Sequence, residues 1–557
     1  MKTFNKILLS LGAVATLGLG ACTGDLDLEP TDPSKITQGQ FGEDPVGYMD
    51  QVMADVYLQF STYGADGNAS VSGTDGGMTT FQRALFILEE IPTDEANWLA
   101  TADADYGLIQ YGIAAPNNTI MYGVYSRLMI NVAVCNDFIA SIAEDRFKLP
   151  ADDAAAQAKA AEYVRQCRIL RAACYYYLID LFGNVPMVTD DTMIGSVPEQ
   201  AQRAELFQFY TSELEQVVAE YGGNAQQYWG YVGLEVAEAM LVKYYLNAEV
   251  YTGTPRWADC IKYAQNIIRR HQNAGFQASD GTQTGLCWNY SQPFCANNRQ
   301  YANGGANAIS ENLWVIPNDT QYLGSYANAM FMIMGWIGPD IQGNYNVTNA
   351  WKCMSTRPEF AAIFDWDSAM EYSIDQRVSR WATKANGFSF DNLTYNQAAW
   401  GENGYLAVKY TNWNIDDNGS ANGVQPTATE QINNDYAMIR LAEIYLSAAE
   451  AMLQSGTDAT TALQYVNFIR ERAGLQAWGA GQLSLESLYN ERARELYTEG
   501  TRRTDLIRAG RWISGYNWTW KNQTLKGSDF PSHYNLYPLP SLIVSLAGYQ
   551  QNPGYAN

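Results

Sequence analysis

The chain has 557 residues, 47% of them hydrophobic, and a formal net charge of −24 at pH 7. So acidic a surface repels nucleic acid, which requires clustered lysine and arginine, and it disfavours polyanionic substrates, whereas neutral ligands remain compatible with it. The length exceeds that of a single simple core and corresponds to about three or four typical domains. The 15 tryptophans and 38 tyrosines exceed what a core usually contains, so many of these rings should lie at a surface or an interface.

The N-terminus has the pattern of a bacterial lipoprotein leader. Two lysines precede an apolar run over residues 7–19 that is too short to span a bilayer, and a small-residue cleavage site ends at Cys22. This pattern resembles the lipobox, in which the chain is cut before the cysteine and the cysteine is lipidated. We therefore expect a signal peptide over residues 1–21 and a lipidated tether over residues 22–43, with acyl chains as the membrane anchor. The alternative is an ordinary signal peptide that happens to contain a cysteine.

The mature chain divides into three parts by composition. Residues 44–272 show mostly helical spacing. Residues 273–434 are rich in Gly, Asn and aromatic residues and indicate loops with short strands. Residues 435–557 are helical again and end in a loop-rich tail.

The helix predictions follow from apolar residues at 3.6-residue spacing. Three of these helices span residues 163–181, 436–453 and 457–474, and a fourth begins near Ser484. Gly183 and Pro186 end the first of them, because neither residue continues a helix readily. Short Gly-containing turns between such segments predict helical hairpins that stack on one another as in tetratricopeptide repeats. A plain helical bundle is the alternative, since no clean 34-residue repeat is present.

Seven cysteines remain if Cys22 is lipidated, and their spacing does not match a zinc site. Cys287 and Cys295 flank a short loop and are the candidate pair for a local disulfide in an oxidising compartment. In the alternative interpretation, all seven are small buried apolar residues.

Four stretches of the sequence resemble the SusD/RagB family of outer-membrane nutrient-uptake lipoproteins. They are CTGDLDLEP at residues 22–30, RILRAACYYYLIDLFGNVP at 168–186, the series RLAEIY, ERAREL and EGTRRTDL at 440–445, 491–496 and 499–506, and the tail motifs LYPLP and QNPGY at 536–540 and 551–555. Together and in this order they cover nearly the whole mature chain. Residues 273–434 match nothing specific, so ligand choice cannot be carried over from the family.

The resemblance implies a mostly α SusD-like fold, with tetratricopeptide-like helical hairpins and an irregular, loop-rich half that binds the ligand. It also implies a lipid-anchored protein of the outer membrane, exposed at the cell surface, because acidic residues follow Cys22 closely. In this family the protein captures oligosaccharides, or peptides in some members, for a SusC-like TonB-dependent transporter. The partners we expect are therefore such a transporter and a neutral oligosaccharide or polysaccharide, and no nucleic acid.

Sugar binding requires flat aromatic faces together with short amide and carboxylate side chains. The candidate ligand-binding residues are Trp98, Trp288, Tyr290, Trp314, Tyr322, Trp336, Asn68 and Asp75. We expect at least two of the six rings to line one surface, although buried packing is the usual role of any single tryptophan.

Signatures of catalysis are missing from the sequence. It contains two histidines and no G-x-S-x-G, P-loop or dinucleotide motif. The arginine- and glutamate-rich residues 491–503 fit ion pairs on helix surfaces and packing between hairpins rather than an active site. We expect a non-enzyme without a cofactor. A structural calcium ion is conceivable near Asp103/Asp105 or Asp416/Asp417, but neither pair fits an EF-hand loop.

Two other functions stay open. One is a surface glycoside hydrolase, which would need two carboxylates at a set separation across the substrate. The other is a tetratricopeptide-like assembly lipoprotein that binds only proteins.

Overall fold

The structure, a computed structural model, describes residues 44–62, 76–100, 104–193, 195–223, 229–301, 311–318, 323, 328–364, 373–383, 386, 405–416, 418–428 and 432–556. The predicted lipidation site Cys22 lies outside these ranges. Within them the chain forms sixteen α-helices and four short strands. The helices are α1 (Pro45–Ser61), α2 (Phe81–Glu89), α3 (Ala104–Ile109), α4 (Thr119–Ala143), α5 (Ala154–Leu181), α6 (Arg203–Tyr221), α7 (Leu234–Leu246), α8 (Ala248–Thr252), α9 (Trp257–His271), α10 (Asn328–Met334), α11 (Pro358–Ala362), α12 (Leu441–Ser455), α13 (Ala459–Arg472), α14 (Leu485–Leu496), α15 (Arg502–Arg508) and α16 (Ser541–Ala547). The strands are β1 (Asn97–Trp98), β2 (Asn312–Ile316), β3 (Met354–Ser355) and β4 (Tyr436–Arg440).

The long helices pack as one continuous series. Helix α4 contacts α5, α5 contacts α6, α6 contacts α7, and α7 contacts α9. The series then crosses to the C-terminal part of the chain, because α9 packs on α12 and α12 packs on α13 and α14. Neighbour-on-neighbour packing of this kind is typical of helical repeats. The mostly α fold class is therefore confirmed, and the loop-rich segment is inserted between two parts of a single helical stack.

Helix α5 shows how local sequence sets an element. The side chain of Asp153 accepts hydrogen bonds from the backbone N–H groups of Ala155 and Ala156, both at 3.0 Å, and thereby caps the helix start. The helix ends at Leu181, and Gly183 follows with φ of +74°. A Cβ at Gly183 would lie 2.6 Å from the Leu536 side chain, so a larger residue would be strained at this φ and would displace that side chain. The predicted helix over residues 163–181 is confirmed and begins earlier than predicted.

The prediction of a helix over residues 436–453 was wrong at its start. Strand β4 occupies Tyr436–Arg440 and pairs antiparallel with β2, with Ile439 opposite Trp314, and the helix begins only at Leu441. All five residues of β4 are buried. When both faces of a short apolar run are buried, the spacing of its apolar residues does not distinguish a strand from a helix. Its partner strand is more than a hundred residues away in sequence.

The other two C-terminal helix predictions are confirmed. The carboxylate of Asp458 accepts from the Thr461 N–H at 2.9 Å at the start of α13. The hydroxyl of Ser484 accepts from the Ser487 N–H at 3.1 Å at the start of α14. Both residues are N-caps, which satisfy backbone donors that the first helical turn leaves unpaired.

The arginine- and glutamate-rich stretch is buried, so the prediction of ion pairs on helix surfaces was wrong, whereas the prediction of packing between hairpins agrees with the structure. Arg377 donates to Glu491 at 2.8 Å, and Arg492 donates to Asp505 at 2.9 Å, with all four side chains at most 3% exposed. Burial acts to raise the pKa of Glu491, but the nearby guanidinium groups outweigh it and hold that pKa at about 2. The Arg377–Glu491 pair connects the loop-rich segment to α14, and the Arg492–Asp505 pair connects α14 to α15. Buried charges of this kind persist only when they are paired.

One hydrophobic core runs from Met49 to Val544 and includes residues of all three parts of the chain. Helix α4 is the one described helix that is long and apolar enough to cross a membrane by length and composition. Half of its most apolar stretch is buried inside the protein, where it packs on α5. The boundaries that we predicted between the parts stay a prediction.

Candidate functional site

Four of the predicted ligand-binding rings lie in the protein core. Trp98 stacks on Tyr106 with ring centres 4.1 Å apart, and Trp314 packs against a phenylalanine cluster beside α1 and α2. Tyr290 and Trp336 are also buried, with exposures of 4% and 0%. Rings buried to this degree present no face to a ligand, so the predicted surface role does not hold for them, and buried packing describes them instead. Three further candidates, Tyr322, Asn68 and Asp75, lie outside the described residues.

Trp288 is the predicted ring that the structure leaves partly exposed. It packs beside Trp413 on a small apolar cluster formed by Cys287, Cys295 and Ile415, which is separate from the main core. The structure contains no bond between the two cysteines: both are free and buried. The alternative interpretation, small buried apolar residues, therefore describes them, and burial raises the pKa of Cys295 to about 12.

A cleft of about 230 Å³ opens beside this cluster. Three separate stretches of the loop-rich segment form its walls. Its lining residues are Asn344, Tyr345, Ser379, Arg380, Asn386, Thr411, Trp413, Ile415, Gly419 and Ala421. The wall combines one flat indole with amides, hydroxyls and a guanidinium, which is the composition expected for a site that binds sugar rings.

Backbone hydrogen bonds hold Trp413 in place. Its indole N–H donates to the carbonyl of Asn344 at 2.9 Å, and its own carbonyl accepts from the Ala296 N–H at 3.0 Å. The first bond ties two walls of the cleft together, and the second ties the indole to the segment that follows Trp288. These bonds fix the position of the half-buried indole at the cleft wall.

A tight turn closes the cleft on the side of Trp288. One carboxylate oxygen of Asp416 accepts from the N–H groups of Asn418 and Ser420, both at 2.9 Å. Gly419 has φ of +79°, and a Cβ there would lie 2.8 Å from the side chain of Asn289. The same Asn289 donates to the Asn418 carbonyl at 3.3 Å, so the loop that carries Trp288 packs directly on this turn.

The turn does not have the features of a calcium site. The carboxylate oxygen of Asp416 that faces the turn already accepts two backbone hydrogen bonds. Asp417 and Asp103 are not among the described residues. Among those that are, no three His, Cys, Asp or Glu side chains are grouped so that they would hold a metal ion.

Two larger cavities lie on the helical stack. One of about 660 Å³ adjoins α4 and contains Asp137 and Asp190, and one of about 640 Å³ adjoins α6 and contains Glu205 and Phe209. Neither lining includes a tryptophan, and both carry acidic side chains. The smaller cleft is therefore the better candidate for binding a sugar.

The residue patterns pointed to the neighbourhood of this cleft but not to its lining. Trp288 was among the predicted residues, whereas Trp413 and Arg380 were not. Trp413 lies in an asparagine- and glycine-rich stretch over residues 411–423 that resembles the surroundings of Trp288, and that likeness was the available clue. Arg380 has no distinguishing local pattern.

Comparisons with known proteins agree with one another. A sequence model of the SusD family matches residues 215–555. The chain is 28% identical to the starch-binding protein SusD of Bacteroides thetaiotaomicron over the full length of both chains. Its fold is similar to that of surface glycan-binding protein A from Bacteroides thetaiotaomicron, solved in complex with laminarihexaose, with a TM-score of 0.64, 20% identity, and coverage of 91% of this chain and 99% of that one. A SusD superfamily protein from Parabacteroides distasonis gives a TM-score of 0.63 at 17% identity and covers 94% of this chain and 100% of that one.

Proposed function

This chain belongs to the SusD family, and we therefore propose that it is a cell-surface lipoprotein that captures oligosaccharides and delivers them to a partner TonB-dependent outer-membrane transporter. The observation that carries the proposal is the cleft, where the half-buried indole of Trp413 stands among amide, hydroxyl and guanidinium groups. Sugars present apolar C–H faces and hydroxyl groups, and this wall matches both.

The names of two relatives support a carbohydrate ligand. One is a starch-binding protein, and the other was solved with laminarihexaose. The net charge of −24 is compatible with such neutral glycans. The relatives are binding proteins, and we propose a binding role without catalysis for this chain as well. New reducing ends after incubation with glycans would instead favour a glycoside hydrolase.

The direct test is calorimetric titration with a panel of neutral oligosaccharides. Stacking one sugar on the Trp413 indole buries apolar surface on both, worth about 1–2 kcal/mol at ~25 cal/mol per Å². Trp413→Ala should therefore weaken binding about tenfold, and Trp288→Ala should also weaken it if its exposed face contributes. Trp478→Ala is the matched control, since Trp478 is equally half-buried but packs beneath Arg470, away from the cleft lining.

The core tryptophans should behave differently. Substituting alanine for Trp98 or Trp314 should cost stability by about 3–5 kcal/mol, with no loss of affinity while the protein stays folded. If every tryptophan variant unfolds early and none loses affinity, the cleft is not the binding site.

Anchoring and delivery need cellular tests. Cys22→Ser should release the protein from the membrane phase in detergent phase separation, and unchanged partitioning would refute the lipid anchor. Protease added to intact cells should degrade the wild-type protein if it faces outward. Co-purification of a TonB-dependent transporter from solubilised membranes would support delivery, whereas tight binding to envelope proteins without any glycan binding would favour an assembly lipoprotein.

A further inference from the structure

Arg380 is the cationic side chain of the cleft lining, and the described residues place no acidic partner beside it. It lines the cleft and is partly buried. Within the described part of the chain, no carboxylate lies within ion-pair distance of its guanidinium. Arg377, three residues earlier, is paired with Asp375 at 2.7 Å and with Glu491 at 2.8 Å.

The hydrogen bonds of Arg380 are equally incomplete. A guanidinium carries five N–H donors. One of them, on Nη1, donates to the carbonyl of Lys409 at 3.2 Å, and the described residues supply no acceptor for the others. The backbone of Arg380 is also held in place, because the Tyr345 hydroxyl donates to the Arg380 carbonyl at 2.7 Å. The bond from Nη1 to the Lys409 carbonyl is the contact that holds the guanidinium itself at the cleft wall.

The electrostatic consequence differs between the two arginines. Burial lowers the pKa of Arg380, and no carboxylate offsets that effect. At Arg377 burial acts the same way, but Asp375 and Glu491 outweigh it and the pKa is raised. A partly buried cation without a counter-ion is unfavourable, and a bound anion would remove that cost.

The charged groups around Arg380 are committed elsewhere. The Lys409 ammonium pairs with Glu499 and donates to the Tyr497 carbonyl at 2.8 Å. The carboxylate oxygen of Asp416 at the turn accepts two backbone hydrogen bonds. Neutral side chains complete the wall, including those of Ser379 and Asn344, for which the described residues supply no partner.

We propose that this cleft binds its glycan through an anionic substituent, a uronic acid carboxylate or a sulfate ester, which Arg380 holds while the sugar ring stacks on Trp413. The inference rests on the proposed function and makes it more specific. A planar guanidinium matches the two oxygens of a carboxylate or sulfate and binds them through paired, charge-assisted hydrogen bonds. The acidic surface of the protein disfavours polyanions at long range, so recognition of the charge is local to the cleft.

The test compares acidic sugars with matched neutral ones on the full-length protein purified in detergent. The probes are trigalacturonate with its methyl ester, and a κ-carrageenan tetrasaccharide with its desulfated form. We expect one of the two acidic probes to bind about tenfold or more tightly than its neutral counterpart, because hydrogen bonds to a charged group exceed neutral ones by that much. Which acidic probe shows the difference separates carboxylate from sulfate recognition.

Two variants assign the effect to Arg380. Arg380→Gln should abolish the preference for the acidic probe, so that the acidic and the neutral probe of a pair bind with equal affinity. Arg380→Lys should keep part of the preference, because it retains the charge but not the paired donors. The melting temperature of Arg380→Gln should match that of the wild type, since no ion pair within the described residues is lost. If the glutamine variant does not fold, the Arg380→Lys variant alone measures how much of the preference depends on the paired donors.

The possible outcomes distinguish failure of this inference from failure of the proposed function on which it rests. If neutral sugars bind and depend on Trp413 but the acidic probes bind no more tightly, the anionic-ligand inference is overturned and the proposed function stands. If neither the acidic nor the neutral probes bind, both are overturned for this cleft. An acidic preference that survives Arg380→Gln also overturns the assignment to Arg380.

Discussion

Arg440 is the residue whose loss should most weaken the connection between the loop-rich segment and the helical stack. Its guanidinium donates to Glu311 at 2.7 Å, to Glu495 at 3.0 Å and to Glu499 at 2.6 Å. These three carboxylates come from the residue before β2, the last turns of α14 and the loop after it. Arg440 and its partners are at most 3% exposed, so water does not screen the pairs.

The perturbation is Arg440→Met, which keeps much of the side-chain volume and removes the charge. Breaking a buried pair by removing one partner costs about 3–5 kcal/mol, because the remaining charge is left unpaired. The loss should not exceed this range by much, since Arg472 still donates to Glu311 at 2.9 Å and Lys409 still pairs with Glu499. The free energy of unfolding at pH 7 should therefore fall by about 3–5 kcal/mol.

Equilibrium denaturation followed by tryptophan fluorescence measures this change. Arg269→Met is the control, because Arg269 is exposed on α9 and its loss should change stability by less than about 0.5 kcal/mol. The deficit of Arg440→Met should narrow as the pH falls, since protonation neutralises the carboxylates that were left unpaired. A variant as stable as the wild type at pH 7 would refute the view that this network holds the two parts together.

Three further predictions concern stability and the thiols. Arginine side chains hold the pKa of Glu491 and of Asp505 at about 2 despite burial. The stability that these two carboxylates contribute is therefore present above the unfolded pKa of about 4 and is lost as the pH falls toward 2. A denaturation midpoint that stays flat from pH 6 to pH 2 would contradict this. Burial raises the pKa of Cys287 and of Cys295, so a thiol reagent at pH 8 should label neither before unfolding, and reductant should leave the midpoint unchanged; two fewer titratable thiols after denaturation would reveal a disulfide. Leu441→Ala should cost about 2–5 kcal/mol by opening a cavity beneath α12, and it should affect glycan binding only through unfolding, which titration at low temperature would check.

Local sequence determined the helices whose apolar spacing and capping residues all lie within the helix or directly beside it. Helix α5 was predictable because its apolar spacing, its length and the glycine after Leu181 all act within a few residues. The same holds for α13 and α14, where Asp458 and Ser484 cap the first turn. The motifs at residues 22–30 and 168–186 indicated the family for the same reason, since they can be read without knowing any contact.

Tertiary structure decided whatever depends on distant partners. Tyr436–Arg440 became a strand because β2 was there to pair with it. Trp314 became a core residue because α1 and α2 supply rings around it. Trp413 stayed half-buried at the cleft because it packs on a small satellite cluster instead of the main core. The arginines at 377 and 380 look alike in sequence, but the fold places Glu491 beside the first and, among the described residues, no carboxylate beside the second. Pairing, burial and exposure are set by residues far apart in the chain, and local spacing carries no record of them.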